Sequence, residues 1–275
     1  MAFDTQEIRP LCHLGGRAEA NGIIDIESSR EGSMKKKIAI IMLVAIIAAP
    51  LNAISNAVPS SHRSREARQR VKPILQAQLK AKGFEWGASL FIRIFKDTKT
   101  LEVWLHDGRG FRPFKDYTVC TYGWKGAGPK IAKGDGRAPE GFYFVTPSQM
   151  NPFSRFHLAF NLGYPNAYDR SHGRTGGALM VHGECVSIGC FAMTNAGIEE
   201  IYTLAGAALR YGQPFFRIHI FPFAMTAKNM ARYGNSQWID FWWNLKQGYD
   251  SFEKDHCPPN VSVQNGKYHF LSNKN

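Results

Sequence analysis

A mainly β fold of the α+β class, with helices flanking it at both ends, is what the chain predicts, and three observations predict it. Apolar residues recur with a period of two through Ser89–Phe95 and Thr100–Leu105. Loops rich in Gly, Pro and Lys punctuate these runs, most densely over 121–140 and 163–177. Helical spacing shows ahead of Gly83, between Asn195 and Gly212, and beyond 224.

Taken in order, the chain opens with 33 residues without clear periodicity, followed by Met34 and a basic trio, Lys35, Lys36 and Lys37. An apolar run from Ile38 to Ala49 comes next, broken by Pro50, and Ser55-Asn56-Ala57 places small residues where a signal peptidase reads them. About 20 apolar residues are needed to span a bilayer, so the run reads as a cleaved export signal, with an uncleaved anchor as the alternative and the only membrane attachment expected. Residues 1–33 then read as a mis-set start or an unfolded extension, and the mature protein as periplasmic.

Residues 58–85 form an N-terminal helical segment, with Ala67, Val71, Ile74, Leu75 and Leu79 at helical spacing and Pro73 casting doubt on its middle. The core spans 86–222. Its strands are 89–95, 100–105, 111–120 (an edge strand, since it tolerates Pro113), 142–145, 156–160 and 215–220. A helix N-capped by Asn195 and stopped at Gly212 lies among them. Residues 223–275 read as a helical extension, with Thr226 capping a short helix and Trp238, Phe241, Trp242 and Leu245 marking a second.

The formal charge of +12 belongs to the part after 57, because the six basic and six acidic residues before it cancel. That surface suits an acidic polymer or an anionic lipid face. Nucleic acid is not expected: there is no zinc-finger spacing, no RNP-like strand and no basic helix with a heptad.

Chemistry concentrates in His182–Cys190, read as HGECVSIGC. A nucleophilic cysteine needs a base, donors for the oxyanion and bare backbone for the approaching carbonyl, and this stretch offers all three. Rival readings use the same residues. His182, Cys185, Cys190 and Cys120 are types that bind zinc, though at no standard spacing, so no metal and no cofactor is expected. A Cys185–Cys190 disulfide is the other rival; taken alone, Cys185 reads as a small buried hydrophobe. His219 reads as a satisfied core residue and His157 as structural, while Tyr143, Tyr164, Arg170 and Arg174 could equally line a substrate groove or belong to a solvated loop.

Val181-His182-Gly183 and Ser187-Ile188-Gly189-Cys190 resemble the signatures of the L,D-transpeptidase catalytic domain of the YkuD type. The wording around Ala138–Tyr143, Asn161–Asn166 and Cys190–Thr194 is most similar to its YafK-like branch. The resemblance implies a YkuD-like β-sandwich over 86–222 acting on peptidoglycan stem peptides. It makes Cys190 the nucleophile, His182 the base and acid, the Gly183 carbonyl the group orienting His182, Gly189 part of the oxyanion-hole backbone, and Ser187 a support. The sequence departs from the family in the short separation of His182 and Cys190, in Ile188 where a histidine is common, and in lacking an arginine soon after the cysteine. Transfer to an amine and hydrolysis by water, which releases a peptidoglycan-linked envelope protein, therefore both stay open, beside a non-catalytic wall-binding role.

Overall fold

The computed structural model describes residues 57–271; the expected start site and export signal fall outside them. Helix α1 (His62–Ala81) begins at a capping box in which the Ser61 hydroxyl accepts from the Ser64 amide and the Ser64 hydroxyl accepts from the Ser61 amide. Ser64, Ala67, Val71, Leu75 and Leu79 form its buried stripe, whereas Ile74, expected among them, is exposed. The helix runs through Pro73, contrary to the doubt its sequence raises. Pro73 and Gln69, whose carbonyl loses its partner, both stand on the exposed face, where water can satisfy that carbonyl.

Five strands form the larger sheet: β1 (Leu90–Phe95), β2 (Thr100–His106), β3 (Phe111–Thr118), β4 (Gly141–Val145) and β9 (Phe216–Phe221), in the order β3-β2-β1-β9-β4. β1, β2 and β3 form an antiparallel meander with a bulge at Val103/Trp104, and Pro113 sits on the edge strand. β9 enters between β1, to which it is parallel, and β4, to which it is antiparallel.

A smaller sheet holds β5 (Met150–Asn151), β6 (Ala159–Asn161), β7 (Met180–His182) and β8 (Phe191–Ala192), with β7 and β8 parallel. The two sheets share one core with α1 and with α3 (Asn195–Arg210), through residues such as Ile92, Leu101, Phe160, Val181, Ile198 and Ile218. Three differences from the sequence reading matter to the site. β6 starts only at Ala159, because His157 takes a left-handed φ of 66° that a strand cannot accommodate. Thr194, not Asn195, caps α3, accepting from the Gly197 amide at 3.0 Å. Asn195 is thereby free to hold the loop after β7.

The opposite face of the large sheet is covered by the C-terminal extension. α4 (Ala227–Arg232) and α5 (Ile239–Asp255) match helical spacing, and Thr226 caps α4. The extension then ends in a hairpin, β10 (Asn260–Gln264) and β11 (Lys267–Leu271), where a wholly helical tail was expected. Its turn is Asn265-Gly266, both at positive φ, as a tight hairpin requires. Beneath this layer His219 is fully buried against Phe91 and Phe142, at ring separations of 4.6 and 4.7 Å. Neither ring nitrogen has a hydrogen-bond partner, so it is a core residue but not a satisfied one, and burial holds it neutral well below the usual histidine range.

Candidate active site

The site forms where β7 and β8 lie side by side. Their register pairs Val181 with Phe191 and His182 with Ala192, so Cys190, just ahead of β8, lies diagonally across from His182. Cys190 is the free thiol among the described residues and is half-buried. Its sulfur accepts from the Met180 amide at 3.4 Å and lies 3.8 Å from the Ala178 carbonyl oxygen. Burial pushes the Cys190 thiol's pKa up and so disfavours thiolate, while the Met180 amide, the Ser187 hydroxyl and the charge of Lys130 work against that push.

His182 is buried, and its Nδ1 lies 2.7 Å from the Gly183 carbonyl oxygen. A carbonyl can only accept, so Nδ1 carries the proton and Nε2 of the neutral ring is the basic nitrogen. Burial lowers the imidazole below its ordinary value, outweighing the Gly183 hydrogen bond that raises it, so the ring is neutral at pH 7. The ring of Phe156 lies over the imidazole at 4.7 Å. This placement follows from the late start of β6.

The loop from Gly183 to Gly189 is fastened at several points. Asn195 Oδ1 accepts from the Glu184 amide at 2.9 Å, and the Cys185 amide donates to the Met193 carbonyl at 3.2 Å. Glu184 and Cys185 both take positive φ, and a disulfide joins Cys185 to Cys120, just past β3. Two glycines here sit where a side chain would be crowded. A β-carbon on Gly183 would lie 2.5 Å from Asn195 Oδ1, and one on Gly189 would lie 3.2 Å from the Arg137 carbonyl oxygen. The Gly189 amide donates to Ser187 Oγ at 3.1 Å.

The disulfide revises one expectation and removes two rival readings. Cys185 is neither a buried hydrophobe nor a partner of Cys190; it is exposed and bonded to Cys120. With those two sulfurs bonded to each other, neither can serve as a thiolate ligand, which dismantles the zinc set. The sequence leaves the pairing of the cysteines open, and the partner comes from 65 residues away.

Cys190, His182, Gly183, Ser187 and Gly189 thus come together, and the four substrate-groove candidates do not join them. Tyr143 donates to Asp169 at 2.8 Å, and Arg174 pairs with the other Asp169 oxygen at 2.8 Å, in a hub buried under the C-terminal layer. Tyr164 is buried with its hydroxyl 3.4 Å from the Lys130 and Thr175 carbonyls. Arg170 is exposed on the short helix α2 (Ala167–Ser171) and donates to the Pro165 carbonyl. Sequence reasoning missed Lys130, Phe156, Asn195 and the disulfide partner of Cys185. Only Asn195 left a signal, as a polar residue at a helix start.

The L,D-transpeptidase catalytic domain family (YkuD) matches residues 89–214. Over 182 residues the chain is 49% identical to YafK of Escherichia coli (strain K12), whose name assigns it to the L,D-transpeptidases provisionally; the match covers 66% of this chain and 74% of YafK. YafK of Escherichia coli O157:H7 matches with the same figures. Among solved structures, a mutant of the helical cell shape determining protein Pgp2 from Campylobacter jejuni is 20% identical at a TM-score of 0.41, covering 72% of this chain and 68% of that one. Bd1075 of Bdellovibrio bacteriovorus is 18% identical at a TM-score of 0.36, covering 65% and 78%. The sequence matches carry the assignment: the chain belongs to the YkuD family of L,D-transpeptidase catalytic domains.

Proposed function

We propose that the protein is an exported cysteine enzyme of the cell wall, which cleaves a peptide bond in a peptidoglycan stem peptide through an acyl-enzyme on Cys190. The observation that carries this reading is a free, half-buried thiol diagonal to an imidazole whose Nδ1 is held by the Gly183 carbonyl. Nε2 of His182 takes the thiol proton as sulfur attacks the carbonyl carbon, and the carbonyl electrons move onto oxygen. Collapse breaks the C–N bond, and the amine departs with the proton from Nε2. An incoming amine then completes transfer, or water completes hydrolysis. The Gly189 amide, which donates to Ser187 in the resting site, turns to the oxyanion as Ser187 swings aside.

Hydrolysis is the second reading, and the loop favours it. Seven residues separate His182 from Cys190, and the disulfide ties them to Cys120, so this segment is too short and too fastened to close over the acyl-enzyme against water. Its product would include a protein released from peptidoglycan. Export is supported by the signal-like stretch at 34–57 and by the Cys120–Cys185 disulfide, a bond suited to an oxidising compartment.

Intact-protein mass spectrometry with purified muropeptides tests the reading. Wild type gains the mass of an acyl group and Cys190→Ala does not, and the released products separate transfer from hydrolysis. Absence of any adduct or product with wild type, with wall binding retained, would leave a binding protein instead.

A further inference from the structure

A thiolate in a half-buried site needs a compensating positive charge, and the hydrogen bonds around Cys190 do not supply one. His182 is neutral at rest, and the sulfur's partners are uncharged: the Met180 amide, the Ala178 carbonyl and the Ser187 hydroxyl. The other charged groups near the thiol are few. Glu184 is exposed on the loop itself. Arg137 presents its backbone to Gly189 and turns its guanidinium to the Ala127 carbonyl, 2.6 Å away. Asp135 is bonded to Lys130.

Lys130 is different. It is 4% exposed, and its Nζ lies 4.0 Å from where a β-carbon on Gly189 would stand, one residue before the thiol. Two of its three N–H donors are used, on Asp135 Oδ1 at 2.8 Å and the Ala132 carbonyl at 3.0 Å. Asp135 does not cancel its charge outright, because the same carboxylate also accepts from the Ile131, Ala132 and Arg137 amides at 2.7, 3.1 and 3.1 Å. An aspartate that collects three amides and one ammonium fixes the position of a buried cation while spreading its own charge.

We infer that Lys130 is the counter-charge of the Cys190 thiolate, a positioning cation built into the 130–137 loop, while His182 serves only as the proton carrier. The assignment rests on Cys190 as the nucleophile. It divides between two residues what a single cysteine–histidine ion pair would do alone. It also explains why the lysine is buried at all, since a lysine serving only Asp135 could do so from the surface.

The experiment follows alkylation of Cys190 by iodoacetamide across pH, by mass spectrometry. Sulfur displaces iodide, so the rate reads the thiolate and is independent of any peptidoglycan substrate. In Lys130→Met the pH midpoint is expected to rise by about one unit or more, with alkylation at neutral pH slowed about tenfold. Lys130→Arg restores most of the shift, and His182→Ala moves the midpoint by less than half as much as Lys130→Met. A folded Lys130→Met with an unmoved midpoint overturns the inference, as does a larger shift in His182→Ala. Should Lys130→Met fail to fold, Asp135→Asn is expected to lower the midpoint by unmasking the ammonium, and a midpoint that stays or rises overturns it. A protein that shows these shifts yet forms no acyl-enzyme refutes the proposed function and not the counter-charge.

Discussion

Among the described residues two lysines are buried, and they are buried differently. Lys96 is fully enclosed, and its Nζ donates to Glu140 Oε1, the Gly128 carbonyl and the Ala138 carbonyl at 2.8, 2.7 and 3.1 Å. Glu140 is equally complete, accepting from the Gly128 amide at 2.7 Å and from Trp242 Nε1 at 2.9 Å. Every donor of that ammonium has an acceptor, and the pair locks the 123–140 loop to the C-terminal layer. Lys130 has two acceptors and a thiol nearby. A buried charge with all its valences filled is architecture, and one left a donor short is available for chemistry.

Breaking the closed centre gives the largest effect. Glu140→Leu strands the Lys96 ammonium and is expected to cost about 3–5 kcal/mol in denaturant unfolding, whereas adding Lys96→Met restores part of the loss. A cost below 1 kcal/mol for the single variant would erase the distinction between the two lysines. Next comes the disulfide, which holds the open centre where the ion pair holds the closed one. Replacing Cys120 and Cys185 together by Ser should cost about 2–4 kcal/mol, by freeing a loop closed across 65 residues. The same unfolding measurement checks it, and an unchanged midpoint would mean that Asn195 and Met193 alone hold the loop.

Trp242→Phe removes one donor from Glu140 and should cost about 1–3 kcal/mol, a graded version of the first experiment. Smallest is a pH effect at the open centre. On the proposed mechanism His182 must be neutral to accept the thiol proton, and burial lowers its protonation below the ordinary 6.5, so kcat/KM should hold at neutral pH and fall only below 6.5. Phe156→Ala opens the ring to water and should move that acid limb upward by less than about one unit. A limb that stays put would show that Phe156 is not what keeps water from the imidazole.

How much of this was legible follows from distance along the chain. β1 and β2 could be read because they are neighbours with alternating side chains, and α3 because its apolar stripe repeats with the helical period. His182, Gly183, Ser187, Gly189 and Cys190 could be singled out because they are contiguous. The hairpin after α5 is readable in principle from Asn265-Gly266 between alternating residues, but the helical pattern ahead of it is the stronger signal in the tail. Lys130 and Phe156 were not readable: each reaches the site from a loop decades of residues away, and no spacing rule connects them to it. The Cys120–Cys185 pair is hidden for the same reason, and so is the burial of Tyr143 and Arg174 around Asp169, which turns apparent groove residues into core.

The place of β9 in the large sheet has a consequence for how the molecule comes into being. The strand that joins β1 to β4 is the last of that sheet to emerge from synthesis, so the meander and β4 have no shared edge until residue 221 exists. A chain stopped at 214 would carry the thiol, the histidine and the disulfide partners, yet its main sheet would be in two pieces. Such a chain should sediment as aggregate or fall to proteases rather than work slowly, so the proposed nucleophile would mature only in a finished protein.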